Sequence, residues 1–156
     1  MKVIEIQDDD EHIELVNNEL KCLKRLQDHC EKYVLCYIDS DVSKIKIEDE
    51  DEIIETLYYV IITKFLENYI SWKQFKINHP DKKSRAIKKI RKAIQHIHSQ
   101  GIYHGDLHDD NILIHPETLD VRIIDFGFCM IDADPKLYEN DIANFEWHLQ
   151  YGMMNN

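Results

Sequence analysis

A polar loop between a helical pattern and two short apolar runs limits what this chain can fold into. The loop has the sequence HGDLHDDN over residues 104–111, and apolar runs follow at 112–114 and 121–124, with Pro116 in the turn between them. Two short runs joined by a turn predict a β-hairpin. The second run leads into Asp125-Phe126-Gly127, and a hairpin returns the chain to where it started. We therefore expect residue 125 to lie beside the loop.

The segment before the loop has the pattern of an amphipathic helix that ends at a glycine. Its apolar residues recur at helical spacing, at Ile87, Ile90, Ile94 and Ile97, and lysines and arginines occupy the other face. Ser84 stands where an N-cap is expected. Gly101 follows the last turn, a position that favours a left-handed backbone. The sequence thus predicts a helix, a polar loop and a hairpin in this order.

The rest of the chain predicts a mixture of strands and helices. We expect strands at 2–6, 33–38, 44–47 and 57–62, and helices at 12–29, 70–75 and 141–149. Glu19 lies at the edge of the apolar stripe of the first helix. A sheet-rich first part followed by a helical second part predicts an α+β fold.

Charge and composition exclude several classes of protein. The 156 residues have a formal net charge of −11, which argues against nonspecific nucleic-acid binding. No apolar run approaches the roughly 20 residues needed to cross a bilayer, and the N-terminus has no signal-peptide pattern, so we expect no membrane and an intracellular, cytoplasmic location. Cys22, Cys30, Cys36 and Cys129 have no CxxC spacing, which predicts small buried side chains rather than a zinc site or a disulfide framework.

Three side chains near the hairpin have the chemistry needed for phosphoryl transfer. Asn111 and Asp125 offer oxygen atoms, which are the ligands that Mg²⁺ prefers. Asp106 is a second carboxylate on the same loop, and it can orient the proton of an attacking hydroxyl. A metal that gathers charge on phosphates and a residue that aims the nucleophile are the parts this reaction requires.

The segment HGDLHDDN followed by Asp125-Phe126-Gly127 resembles the catalytic and metal-binding loops of the protein-kinase-like superfamily. The resemblance implies that Asp106 is the catalytic base, that Asn111 and Asp125 hold Mg²⁺, and that ATP is the phosphate donor. HGDLH, with Gly105 where protein kinases usually have arginine, is closer to the aminoglycoside and choline kinases and to small atypical kinases of the RIO and KEOPS type.

The resemblance extends to the N-terminal part of the chain. MKVIEI is similar to the strand that carries the phosphate-binding lysine, here Lys2, and NNELKCLKRL to the helix whose glutamate pairs with that lysine, here Glu19. LYYVIITKFLEN is similar to the last strand and hinge, with Thr63 as gatekeeper. Backbone groups of Lys64 and Leu66 are then expected at the adenine edge. ENDIANFEWHL is similar to the helix whose aspartate, here Asp141, braces the catalytic loop.

The sequence departs from the full family pattern in its N-terminal part. No glycine precedes Gly101, so the glycine-rich phosphate loop and the two strands that carry it are expected to be missing. The resemblance then implies one truncated bilobal domain over 1–156, with an N-lobe remnant at 1–66 and a reduced helical C-lobe at 67–156. An unpaired edge at the first strand, Lys2 to Ile6, invites a homodimer or a partner kinase.

Three functions stay open at this point. The first is an active, minimal phosphotransferase of Ser/Thr protein-kinase type, which acts on a protein or small-molecule hydroxyl. The second is a weak or inactive pseudokinase that works by binding a partner protein, and the third is one part of a split protein. A separate reading of His104 and His108 as transition-metal ligands is a minor alternative.

Overall fold

The protein is described by a computed structural model that covers the backbone of residues 2–6, 10–49 and 52–151. Side chains are described for residues 13–28, 30–43 and 58–149. The strands are β1 Lys2–Ile6, β2 Tyr37–Asp49, β3 Glu52–Thr63, β4 Ile70–Ser71, β5 Ile102–Tyr103, β6 Ile112–Ile114, β7 Val121–Ile123 and β8 Met130–Ile131. The α-helices are α1 Asp10–Arg25, α2 Cys30–Tyr33, α3 Trp72–Asn78, α4 Lys83–Ser99 and α5 Pro135–Tyr151. The predicted α+β fold is confirmed.

The first sheet is antiparallel and has the order β1-β3-β2. Lys2 lies opposite Ile61, and Tyr37 lies opposite Thr63 at the base of a long β2–β3 hairpin. The two strands predicted at 33–38 and 44–47 are wrong as separate elements, because β2 runs without a break from Tyr37 and Tyr33 is helical. Within the described residues β1 has β3 as its neighbour and lies at the sheet edge.

Helix α1 buries the apolar stripe that its sequence predicts. Val16, Leu20 and Leu23 on the helix, and Leu26 directly after it, are at most 6% exposed, and this burial anchors the helix to the core. Its last turn carries Lys24 and Arg25, which suits the negative end of the helix dipole. Glu19 is also buried, at 5% exposure, on the same helix.

Helix α4 forms the centre of the C-terminal part. Ile90, Ile94 and Ile97 are buried, as the helical spacing predicts, and Gly101 follows the helix with a φ of +76°. The prediction that Ser84 caps this helix is wrong, because a 3₁₀ turn at Pro80–Lys82 runs directly into a helix that begins at Lys83. Ser71 instead caps α3, since its Oγ accepts a hydrogen bond from the backbone N–H of Gln74 at 3.3 Å.

Arg122 on β7 connects the two parts of the chain. Its guanidinium donates to the carbonyl oxygens of Glu31 at 2.7 Å and Lys32 at 2.9 Å, at the end of α2. An ion pair with Asp120, at 2.6 Å, holds the same side chain in place. Asp120 also accepts a hydrogen bond from the hydroxyl of Tyr69, and burial together with this bond raises the pKa of Tyr69 to about 12.

The four cysteines form two disulfides, Cys22–Cys129 and Cys30–Cys36. The expectation of unpaired cysteines is therefore wrong. The spacing of cysteines along the chain indicates only sites formed by cysteines close in sequence. Cys22 and Cys129 are 107 positions apart, and only the fold brings them together. Their bond ties α1 to the segment that follows Gly127.

No helix within the described residues is both long enough and apolar enough to cross a membrane.

Candidate active site

A buried aspartate on α5 holds the backbone of the loop at residues 104–111. Asp141 is fully buried, and its carboxylate accepts the N–H of His104 at 2.8 Å and the N–H of Gly105 at 3.0 Å. The Nε2 atom of His98, at the end of α4, lies 2.9 Å from the same carboxylate. These contacts are the bracing predicted for Asp141. His98 is therefore part of the same network.

Gly105 occupies a position where a side chain does not fit. Its φ is +84°, in the left-handed region that favours glycine. A Cβ atom added there would lie 2.5 Å from the carbonyl oxygen of Phe128. The loop therefore passes directly against the segment that follows Gly127, and arginine is excluded at this backbone geometry.

His104 connects the loop to the end of β7. Its Nε2 atom lies 3.0 Å from the carbonyl oxygen of Ile124, so this nitrogen carries the proton, and Nδ1 accepts the backbone N–H of Asp106 at 3.2 Å. The imidazole is fully buried against Phe126, with ring centroids 4.8 Å apart. This burial lowers the pKa of His104, which stays neutral. With both nitrogens engaged, the alternative reading of His104 and His108 as a transition-metal pair is wrong.

Asp106 and Asn111 contact each other directly. The Nδ2 atom of Asn111 donates to the carbonyl oxygen of Asp106 at 2.9 Å and to its Oδ2 at 3.1 Å. The Asp106 side chain is 42% exposed, while Asn111 is buried. A carboxylate that is fixed on one side and open on the other can accept a proton from a bound hydroxyl. His108 is next to it, with Nε2 3.5 Å from Oδ2 of Asp106.

The β6–β7 hairpin brings Asp125 to this pair. Ile112 lies opposite Ile123, and the N–H of Ile124 donates to the carbonyl oxygen of Asn111 at 3.0 Å. Asp125 is the next residue, and its φ of +63° is unusual for a residue other than glycine. Strained backbone of this kind concentrates at functional sites. The hairpin thus places Asp125 beside Asn111, as its sequence predicts.

Asp125 also lines a cleft of about 310 Å³ between α1 and β3. Glu19 lines the same cleft, and so does Thr63, the residue expected as gatekeeper. The other lining residues are apolar, namely Leu23, Leu35, Ile61, Ile124 and Phe126. An apolar cleft with a few polar groups is typical of a small-molecule site.

The structure does not show the nucleotide contacts predicted for Lys2, Lys64 and Leu66. The backbone of Lys2 lies in β1 opposite Ile61, but its side chain is outside the described residues, so its pairing with Glu19 stays a prediction. The backbone N–H of Lys64 donates to the carbonyl oxygen of Cys36 at 2.9 Å, which leaves only the Lys64 carbonyl for adenine. Lys64 and Leu66 line a neighbouring cavity of about 200 Å³, and their contact with adenine stays a prediction.

The family model described as "Protein kinase domain" matches residues 1–147. The chain belongs to the protein kinase family.

Several Ser/Thr kinases are similar to parts of this chain. Serine/threonine-protein kinase 1 of African swine fever virus (isolate Tick/Malawi/Lil 20-1/1983) is 26% identical over 117 residues, which are 73% of this chain and 34% of the viral protein. Serine/threonine-protein kinase pim-2 of Danio rerio is 46% identical over 43 residues, 28% of this chain and 14% of the relative. Serine/threonine-protein kinase shk1/pak1 of Schizosaccharomyces pombe is 43% identical over 48 residues, 30% of this chain and 7% of the relative. The chain thus matches about a third or less of these kinases.

Asn111 and Asp125, the two predicted magnesium ligands, both carry oxygen atoms of the kind that a hard cation prefers. Nδ2 of Asn111 donates to Asp106, so Oδ1 is the amide atom of the right type, and the role of both residues as metal ligands stays a prediction. No group of three or more His, Cys, Asp and Glu side chains with metal-binding geometry occurs in the described part of the chain. Such a group is not needed by Mg²⁺, which is usually held by one or two protein ligands together with waters and phosphates.

Sequence reasoning missed one buried pair that supports this loop. The ammonium of Lys76, on α3, forms an ion pair with Asp109, and both side chains are less than a tenth exposed. Lys76 also lies 3.5 Å from the carbonyl oxygen of His148 on α5. No local signal could reveal the pair, because its members are 33 positions apart and a lysine in a short helix ordinarily faces solvent.

Proposed function

We propose that this chain is an ATP-dependent phosphotransferase of Ser/Thr protein-kinase type. The observation that supports the proposal is that Asn111 is hydrogen-bonded on two sides. Its side-chain amide donates to the carboxylate of Asp106, and its backbone carbonyl accepts the N–H of Ile124, the residue before Asp125. The exposed carboxylate of Asp106 thus lies next to Asn111, and Asn111 is bonded to the strand end that leads to Asp125, a residue that lines the cleft. Phosphoryl transfer depends mainly on positioning and electrostatic stabilisation, which such an arrangement supplies.

Each residue has a distinct role in the proposed reaction. Asp106 accepts a hydrogen bond from the acceptor hydroxyl and aims its oxygen at the phosphorus, and Asn111 holds that carboxylate in place. Asn111 Oδ1 and Asp125 bind Mg²⁺, which when bound neutralises charge on the phosphates. Lys2, paired with Glu19, binds the α- and β-phosphates, and backbone groups of Lys64 and Leu66 bind adenine.

We further propose that residues 1–66 belong to the N-lobe and residues 67–156 to the C-lobe of one domain, in an intracellular setting. The acceptor is a protein hydroxyl, as the names of the Ser/Thr kinase relatives support. HGDLH also resembles small-molecule and atypical kinases, so a small-molecule acceptor is the second case to test.

A second candidate function is a pseudokinase that binds a partner protein or a second copy through β1. It is favoured by one observation, the edge position of β1 among the described strands, which supplies a surface for pairing.

A transfer assay separates the two candidates. Radiolabelled ATP, magnesium and a mixture of protein acceptors are incubated with the wild type, with Asp106→Asn and with Asp110→Asn as an exposed control on the same loop. The phosphotransferase predicts labelling that Asp106→Asn abolishes and Asp110→Asn keeps. A magnesium-dependent ATP thermal shift without labelling, equal in all three proteins, would favour the pseudokinase.

A further inference from the structure

The basic residues of this acidic chain are concentrated on one helix. Seven of its 19 lysines and arginines occur within residues 82–92, in a chain with a net charge of −11, and no acidic residue interrupts them. They are Lys82, Lys83, Arg85, Lys88, Lys89, Arg91 and Lys92. Such a concentration gives one face of α4 a sign opposite to that of the whole molecule.

Four of these residues line a groove, which we call the basic groove. Arg85, Lys88, Lys89 and Lys92 form one wall on α4, and Glu117, Thr118 and Leu119, in the β6–β7 turn, form the other. Tyr33 of α2 also lines the groove. Its volume is about 550 Å³. The ammonium of Lys82 donates to the carbonyl oxygen of Pro116 at 3.0 Å, which holds the turn against the start of the helix. The groove therefore has two fixed walls.

The basic side chains of the groove are exposed to solvent. Within the described part of the chain, none of the four forms an ion pair, whereas Arg91 on the neighbouring face pairs with Glu146 at 2.7 Å. Their spacing of three and four residues brings like charges together along the helix, which is destabilising. An anionic ligand would relieve this repulsion.

The basic groove is separate from the proposed active site. It shares no lining residue with the cleft that contains Asp125. The hairpin whose turn forms one wall begins after Asn111 and ends before Asp125. A ligand in the groove would thus leave Asp106 open while contacting the same hairpin that positions the two metal-suited residues.

We propose that the basic groove binds a short acidic segment of a partner protein in extended conformation. From Arg85 to Lys92 the wall is about 10 Å long at 1.5 Å per residue, a length that three or four extended residues cover. Carboxylates on alternate positions of the peptide meet the ammonium and guanidinium groups, and an apolar side chain between them contacts Leu119 and Tyr33. A long nucleic acid fits less well, because the net charge of −11 repels a polyanion that extends beyond the groove.

Fluorescence anisotropy with the full chain tests this inference without ATP. The probe is a short fluorescein-labelled peptide in which Asp and Glu surround one Leu, and the same peptide with Asn and Gln is the neutral control. The groove variant carries Lys88→Glu and Lys89→Glu. The matched control carries Lys73→Glu and Lys136→Glu, which change the net charge equally at exposed positions on α3 and α5.

We expect the acidic peptide to bind the wild type and added salt to weaken this binding. The groove variant should raise the Kd of the peptide at least about tenfold, while the matched control should stay within about twofold of the wild-type Kd. Equal weakening in both variants would show attraction to the overall charge and overturn the proposal. It would also fail if a single-stranded RNA of equal charge bound more tightly at the same lysines. Self-association in sedimentation velocity that requires Lys88 and Lys89, without peptide binding, would assign the groove to a second copy and overturn it too.

Discussion

The side-chain amide of Asn111 donates to Asp106 twice, to the backbone carbonyl at 2.9 Å and to the carboxylate at 3.1 Å. The same residue accepts the N–H of Ile124 through its backbone carbonyl. One asparagine therefore fixes both the proposed base and the strand end that leads to Asp125. This dual role makes Asn111 the residue at which the proposed mechanism is most sensitive.

Replacing Asn111 with alanine is expected to lower the rate of phosphate transfer by about a hundredfold or more, because it frees the Asp106 carboxylate and removes one metal ligand. The variant should also require more magnesium for half-maximal activity. Transfer rates measured over a magnesium series check both effects. Asn78→Ala, at an exposed position at the end of α3, serves as the control and is expected to behave as the wild type. An Asn111→Ala rate close to the wild-type rate would contradict the role assigned to this residue.

Replacing Asp141 with alanine is expected to reduce the free energy of unfolding by about 2–4 kcal/mol, because it leaves the buried N–H groups of His104 and Gly105 without their charged acceptor. Urea denaturation followed by circular dichroism measures the change. Glu139→Ala, on an exposed turn of the same helix, is expected to stay within about 0.5 kcal/mol of the wild type. A loss no larger than this control's would mean that the loop is held by other contacts.

Stability is expected to fall as the pH drops below about 6.5, the ordinary pKa of histidine. Burial lowers the pKa of His104 in the folded protein, so the unfolded chain takes up this proton first. Below that pH the unfolded state therefore binds more protons than the folded state. The free energy of unfolding is then highest above about pH 6.5, where His104 is neutral in both states, and it decreases as the pH falls below that value. Thermal unfolding over a pH series measures the slope.

His104→Gln should flatten the acid side of this pH profile, since glutamine cannot take up the proton. Asn78→Ala, at an exposed position at the end of α3, changes no titratable group, and this control should keep the wild-type slope. Identical slopes in His104→Gln and the wild type would assign the pH dependence to other groups.

Loss of the Cys22–Cys129 disulfide is expected to destabilise the protein more than loss of Cys30–Cys36. The first closes a loop between positions 107 apart and the second a loop between positions 6 apart, so their effects on chain entropy are about 4–5 and about 2 kcal/mol respectively. Urea denaturation of Cys22→Ser with Cys129→Ser, compared with Cys30→Ser with Cys36→Ser, measures both. Wild-type stability in the first variant, together with two free thiols in the native wild type, would show that the bond does not form.

Residue patterns predict the parts of this fold that depend on local periodicity. The buried stripes of α1 and α4, the left-handed Gly101 and the β6–β7 hairpin all follow from spacing along the chain. The pairing of Lys76 with Asp109 and of Cys22 with Cys129 could not be predicted, because each joins residues that only tertiary packing brings together. The single long strand β2 was missed because its polar middle section breaks the alternation that indicates a strand, while pairing with β3 keeps it extended.

Paramagnetic relaxation by Mn²⁺ in the presence of ATP tests most directly whether Asn111 and Asp125 hold one metal ion. Mn²⁺ replaces Mg²⁺ at oxygen sites and broadens NMR signals of nearby nuclei. If both residues hold one ion, the signals of the Asn111 side-chain amide and the Asp125 backbone amide broaden together when ATP and Mn²⁺ are added, and Asp125→Ala abolishes this broadening. Sharp signals from both groups, or broadening at only one of them, would contradict it.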